Sequence, residues 1–161
     1  MIRASIQIEN GDIVDTYDGY KLIYLSSDNR TEAPIKKRDT TSYAEQAGAN
    51  TDHRAVQDEF DYKVVFIIDG QDNDRDRVSA IVKDFNSKLY TQAEGSDIRT
   101  YKEVSLYNYY KHVKIVGLPS LIAEPKGFKR SKNNYEYAQV ELTIHVSDPT
   151  KCNFNLKTPE P

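Results

Sequence analysis

Apolar and polar residues alternate in three stretches of the chain, the period of a strand with one buried and one wet face. Ile2, Ala4, Ile6 and Ile8 alternate with Arg3, Ser5, Gln7 and Glu9. Phe60, Tyr62, Val64, Phe66 and Ile68 form one face of a second strand, whose other face starts polar at Asp61 and Lys63 and turns apolar at Val65 and Ile67. That change predicts a strand covered on both sides at one end. Ala138, Val140, Leu142, Ile144 and Val146 alternate with Gln139, Glu141, Thr143 and His145, which predicts the last strand over 137–146. Shorter strands are predicted at 21–25, 104–107 and 110–116, the last closed by Gly117-Leu118-Pro119. Asn10-Gly11 suits a tight type I′ turn, because both residues tolerate positive φ.

A helical period occurs once. Val78, Ile81, Val82, Phe85 and Leu89 fall on one face of an α-helix. Asn73, Asp74 and Asp76 stand at its start, where they cap free amides and complement the helix dipole. Residues 26–58 carry neither period. They hold Ser26-Ser27-Asp28-Asn29, Pro34, the basic run Ile35-Lys36-Lys37-Arg38, and Ala47-Gly48-Ala49-Asn50. So long a polar connection is usually functional in a compact domain, and here it predicts an arm that orders against a partner. The resulting fold class is mainly β (α+β): a β-sandwich or split barrel with one packed α-helix and a long loop or hairpin arm. The domain is expected to span 1–148 with its arm at about 26–58. Residues 149–161 read as a polar C-terminal tail, loose until something binds it.

Composition narrows the function classes. The length of 161 residues suits one domain. A net charge of −3 argues against a dedicated nucleic-acid binder, which carries a concentrated basic face. No run of about 18 apolar residues occurs, so no membrane span is expected. The start Met1-Ile2-Arg3-Ala4-Ser5 lacks the apolar stretch of a signal peptide, so folding in a cytoplasm is expected. Cys152 is the only cysteine, which excludes a disulfide within the chain. Twelve Tyr stand against five Phe and no Trp. Tyr offers a rigid apolar face with a polar tip, used at interfaces and at sheet rims alike.

Catalytic signals are missing. There is no nucleophile elbow, P-loop or dinucleotide-type glycine motif. His53, His112 and His145 show no ligand spacing to Cys152 or to a carboxylate, so they read as scattered surface histidines. Asp69, Asp72, Asn73, Asp74 and Asp76 fail the EF-hand spacing and read as an acidic helix start. No base adjoins Cys152 in sequence, so a catalytic thiol is not expected. Neither an enzyme activity nor a cofactor or metal is expected.

Three stretches carry a family resemblance. Ala33-Pro34-Ile35-Lys36-Lys37-Arg38 leads to Gln46-Ala47-Gly48-Ala49-Asn50-Thr51-Asp52 in the manner of a belt loop. The strand at 60–68 and its Asp69-Gly70 precede a helix ending Asp84-Phe85-Asn86-Ser87-Lys88-Leu89-Tyr90. Val104-Ser105-Leu106-Tyr107-Asn108-Tyr109-Tyr110-Lys111 runs on to Val116-Gly117-Leu118-Pro119. In this order they resemble the N-terminal domain of the distal tail proteins of long-tailed bacteriophages, and more loosely the tail-tube fold.

The resemblance implies a structural protein of the virion tail, assembled in the host cytoplasm. It implies a homo-oligomeric ring, commonly a hexamer, that joins the tail tube protein to baseplate hub or tail-tip proteins. DNA would pass through the channel without specific binding, and no membrane would be involved. The expected interface residues are Lys36, Lys37, Arg38, Tyr43, Gln46, Tyr107, Tyr109 and Tyr110, while Gln139, Glu141 and Thr143 would line a channel or meet a neighbour. The alternatives are another tail-tube or connector component, a carbohydrate- or protein-binding β-sandwich module, and a small enzyme. A carbohydrate module would need Tyr101, Tyr107, Tyr109 and Tyr110 to share one flat face.

Overall fold

The computed structural model describes residues 4–30, 32–35, 40–42, 49–51, 57–70, 75–125, 127–130, 132 and 136–157, with the backbone alone for 40–42 and 49–51. Strand β1 (Ala4–Ile8) pairs antiparallel with β2 (Ile13–Asp15). The reversal between them comes earlier than Asn10-Gly11 suggests. Glu9 holds the positive φ, at 52°, and Gly11 N donates to Ile8 O at 3.1 Å. The cause is a neighbour: Glu9 N is committed to Glu103 O at 2.8 Å, so the chain turns directly after that bond.

Asp15 then caps a helix that the sequence pattern does not reveal. Its Oδ1 accepts from Tyr17 N at 2.8 Å and Asp18 N at 3.2 Å, which starts the five-residue α1 (Thr16–Tyr20). Lys21 ends it in the left-handed conformation, φ 61°. Strand β3 (Ile23–Ser27) follows. Beyond it the long polar connection is a hairpin arm: β4 (Thr40–Ser42) and β5 (Ala49–Thr51) pair antiparallel, and Ile35 bridges Gln57 at the root.

The remaining elements are β6 (Phe60–Asp69), α2 (Arg75–Ser87), β7 (Tyr90–Gln92), β8 (Arg99–Tyr101), β9 (Val104–Asn108), β10 (Val113–Pro119), β11 (Lys129–Arg130) and β12 (Glu136–Val146). The main sheet has the order β2-β1-β9-β10-β12-β6-β3, with β11 also on β12; all of its pairs are antiparallel. Strand β10 belongs to two ladders. Residues 113–117 pair with β9, whereas Leu118 and Pro119 pair with His145 and Ile144 of β12. Gly117-Leu118-Pro119 therefore does not close the strand but carries it across to the other half. Gly117 is the crossing point, where a Cβ would lie 2.2 Å from His145 O.

The core lies between the two halves. Phe60, Tyr62, Val64, Phe66 and Ile68 of β6 and the matching face of β12, from Ala138 to Val146, join one cluster with Ile6, Leu106, Val113 and Ile115. From α2 the cluster takes Val78, Val82 and Phe85, with Leu89 just beyond the helix. Ile81 is only half-buried against it. Phe85 meets the edge of Tyr20 from α1 at 5.1 Å. Asn86 fixes the helix laterally: its Nδ2 donates to Ile122 O and its Oδ1 accepts from Ile122 N, both at 2.9 Å.

One buried polar node ties the halves. Asn108 ends β9 fully buried. Its Nδ2 lies 2.9 Å from Ser27 Oγ, 3.2 Å from Tyr62 Oη and 3.4 Å from Tyr24 Oη, and its Oδ1 accepts from Lys111 N at 3.0 Å. Buried polar groups are stable only when so satisfied. The C-terminal segment is bound rather than loose as far as it is described. Lys114 and Asn153 exchange backbone bonds of 2.7 and 2.9 Å, Leu156 N donates to His112 O at 2.9 Å, and Phe154 packs against the core. The reason is that β10 leaves β12 only its last two residues, so the rest of that edge needs another partner.

Two substitutions test this architecture in chemical denaturation. Gly117→Ala forces a methyl against a backbone carbonyl and costs at least about 1–3 kcal/mol, the range for overpacked sites. Phe85→Ala empties a site that is 1% exposed and costs about 3–5 kcal/mol. A loss below about 1 kcal/mol in either variant contradicts the packing described.

Candidate functional site

The odd-numbered side chains of β6 and β12 point away from the core and make the outer face of the main sheet. Asp61, Lys63, Gln139, Glu141 and His145 are exposed there, with Thr143 half-buried. The register sets His145 beside Asp61, Thr143 beside Lys63, Glu141 beside Val65 and Gln139 beside Ile67. On the other side of β6, Ile23 pairs with Ile67 and Ser26 with Val65, and Leu25 is the extra residue of a bulge, 48% exposed. The face is charged at one end and apolar at the other. Val65 and Ile67 are half-buried, so the strand end expected to be covered on both sides is left partly open in the single chain.

At the charged end His145 has the carboxylate partners that spacing in the sequence did not show. Its Nδ1 is 2.7 Å from Asp61 Oδ1 and its Nε2 is 3.5 Å from Glu59 Oε2. The hydrogen bond to Asp61 raises the His145 pKa above 6.5 against the opposing effect of desolvation, and the charges of Asp61 and Glu59 push it up as well. The signal was present only in the pairing register, since Val146 aligned with Phe60 places His145 opposite Asp61.

The expected tyrosine surface separates into distinct pairs. Tyr107 stacks on Tyr109, with centroids 6.3 Å apart and planes at 26°, and Lys114 Nζ lies 5.2 Å from the Tyr107 ring. Tyr107 Oη also donates to Gln7 Oε1 at 3.3 Å. Tyr110 turns to Tyr24 at 6.1 Å and keeps 64% of its surface exposed. Tyr101 packs on Tyr90 at 6.0 Å, in a different hairpin. Tyr101, Tyr107, Tyr109 and Tyr110 thus fall into three separate ring pairs rather than one stack. The other expected interface residues, Lys36, Lys37, Arg38, Tyr43 and Gln46, lie outside the described residues, as do His53, Asp72, Asn73 and Asp74.

Reactive chemistry finds little support. Cys152 is half-buried beside β10, with Val116 N 3.5 Å from its Sγ. Burial pushes its pKa up, which keeps it a thiol rather than a nucleophilic thiolate. Among the described residues no three His, Cys, Asp or Glu side chains stand close enough to hold a metal ion. No helix among them is long and apolar enough to cross a membrane.

The folded antiparallel sheet, the helix on its inner side and the hairpin arm form a fold that is also seen in a phage tail protein. The chain is similar to SPP1 Dit (gp 19.1), whose crystal structure is described as a paradigm of the hub adsorption apparatus in Gram-positive infecting phages. The similarity has a TM-score of 0.53 at 12% identity and covers 91% of this chain and 50% of that one. The resemblance read from the sequence is therefore present as a likeness of fold, and the chain spans half the length of that protein. No protein-family model and no curated protein matches the chain.

The His145 pair gives the surface a pH dependence. A raised folded pKa stabilises fully below the unfolded value of 6.5 and is lost as pH rises through the folded value. Thermal unfolding from mildly acidic to mildly alkaline pH should show the native chain losing a fraction of about 1 kcal/mol, the size of an exposed pair. Asp61→Asn should flatten that loss; an unchanged profile in the variant means that the pair does not act.

Proposed function

We propose that this chain is a ring-forming structural protein of a bacteriophage tail, the adaptor between the tail tube and the hub below it. The observation that carries the reading is the likeness of fold to SPP1 Dit over nine-tenths of the chain. The reading takes 1–148 as the ring domain, with its arm at 26–58, and 149–161 as its C-terminal tail. It places the chain in the virion tail after assembly in the host cytoplasm, in a homohexamer bound to the tail tube protein and to baseplate hub or tail-tip proteins.

The physical chemistry of the surface agrees with assembly. The edges of the main sheet are a three-residue β2 and a bulged β3, poor templates for uncontrolled pairing. Contact surface comes instead from the arm and from the apolar end of the outer face, Ile23, Leu25, Val65 and Ile67. A closed ring of like subunits covers such surfaces by repeating one head-to-tail contact. At the other end of that face the carboxylates of Glu59 and Asp61 stand with Lys63 and with His145, which they hold toward its charged form. A lining of that balance holds no phosphates by counterion release, as passage of DNA requires.

Electron microscopy of intact particles labelled with an antibody fragment against this chain tests the placement. The expected result is label encircling the tail axis at the distal end of the tube. Particles that lack the chain, or carry it off the axis, overturn the reading. A second test removes residues 36–50. Strands β4 and β5 pair only with each other among the described residues, so the deletion should leave the domain folded and weaken its oligomer. Native mass spectrometry that finds unchanged oligomers would count against a role for the arm.

A further inference from the structure

Helix α2 has different surfaces at its two ends. At its C-terminal end rises the β7–β8 hairpin, closed at the base by Lys102 N donating to Leu89 O at 2.8 Å. Its tip is ordered rather than slack. Gly95 takes a φ of 75°, Ser96 N donates to Ala93 O at 3.1 Å, and Ile98 N donates to Ser96 Oγ at 3.1 Å. On this tip Ile98 is 75% exposed, the most exposed large apolar side chain among the described residues. Its charged neighbours Glu94 and Asp97 are exposed as well. The nearby cation Arg99 is drawn back along the stem, 4.4 Å from the Tyr90 ring and 3.0 Å from Gln92 Oε1. The hairpin thus offers one exposed aliphatic side chain on a tip that also carries two carboxylates.

At the N-terminal end of α2 lies a cleft of about 120 Å³. Its apolar walls are Val78, Pro125, Phe128 and Ala138. A cavity of about 150 Å³ holds a benzene, so this cleft has room for one branched aliphatic side chain. Arg75 stands at its rim, exposed and without an ion pair among the described residues. Among the lining residues Arg75 is the one cation and Glu124 the one acid. The thirteen residues of α2 hold hairpin and cleft about 20 Å apart.

We propose that the β7–β8 tip of one copy seats in the α2 cleft of the next, with Ile98 in the pocket and Asp97 against Arg75. This contact rests on the ring reading and names one of its joints. A tip and a cleft at opposite ends of one rigid helix can join copy to copy head to tail, the arrangement that closes into a ring. Charge selects the order, because a tip meeting a second tip brings carboxylates together, and like charges across an interface are costly.

The test uses the full chain and measures assembly by native mass spectrometry and sedimentation. Ile98→Asp, Asp97→Lys and Arg75→Glu should each weaken self-association at least about tenfold, the scale on which interface charges act. All three positions are exposed, so the thermal unfolding of each variant should match that of the native chain. The deciding sample is an equimolar mixture of Asp97→Lys with Arg75→Glu. Each tip then meets a complementary cleft on the other variant, and the oligomer should return with the two alternating. A mixture that stays dissociated, or single variants that assemble like the native chain, overturns this contact while the ring reading stands. A native chain that is monomeric at every concentration overturns both.

Discussion

The close approach of Gly117 to the carbonyl of His145 is the constraint on which the rest of the fold depends. A strand can serve two ladders only if its backbone comes hard against the second partner where it leaves the first, and at 2.2 Å no side chain fits between them. Gly is required here for proximity, since its φ is not in the left-handed region. With that approach made, the sheet folds over itself and its inner faces can share one core. Over residues 113–117 the same bend leaves the edge of β10 opposite β9 without β12, and there Asn153 exchanges backbone bonds with Lys114. The bend also brings the end of β9 beneath β3 and β6, where Asn108 binds Ser27, Tyr24 and Tyr62.

The parts legible in the sequence are those whose energetics repeat along the chain. Strands β6 and β12 and helix α2 each bury one face over ten or more residues, so burial leaves a period that outlasts local exceptions. The hairpin arm was legible for the opposite reason, a long polar stretch without any period. Among the short elements the strands β1, β3 and β9 were legible, whereas α1, β2, β7, β8 and β11 were not. Helix α1 depends on the Asp15 cap, and β7, β8 and β11 leave no complete alternation. Gly117-Leu118-Pro119 has the composition of a strand terminator, and only the distant His145 makes it a crossing. The bound C-terminal segment escaped for the same cause, because its partner is an edge created by tertiary folding.

Function residues divide along the same line. Tyrosine content signalled surface, but composition does not arrange rings. Tyr107 and Tyr109, two apart, stack on one side, whereas Tyr110 in the following turn faces Tyr24. His145 illustrates the converse: unremarkable in sequence, it gains Asp61 and Glu59 through a register fixed by buried neighbours. Its charge state therefore follows from packing on the other side of the strand.

The inner and outer faces of the main sheet make different demands on one sequence. The inner face of β6 and β12 is apolar from Phe60 to Ile68 and from Ala138 to Val146 because a single cluster must exclude water. The outer face can vary along its length because it takes no part in that cluster. A uniformly apolar outer face would collapse against any hydrophobic surface, and a uniformly charged one would oppose the approach of another copy. The gradient from Ile23, Val65 and Ile67 to Asp61 and Lys63 avoids both. The β7–β8 hairpin carries this further: Glu94, Asp97 and Ile98 at its tip are exposed and lie outside the core cluster, so they can change without disturbing the Gly117 crossing. The interior is fixed by one tight backbone approach, and the exposed segments are left free to vary.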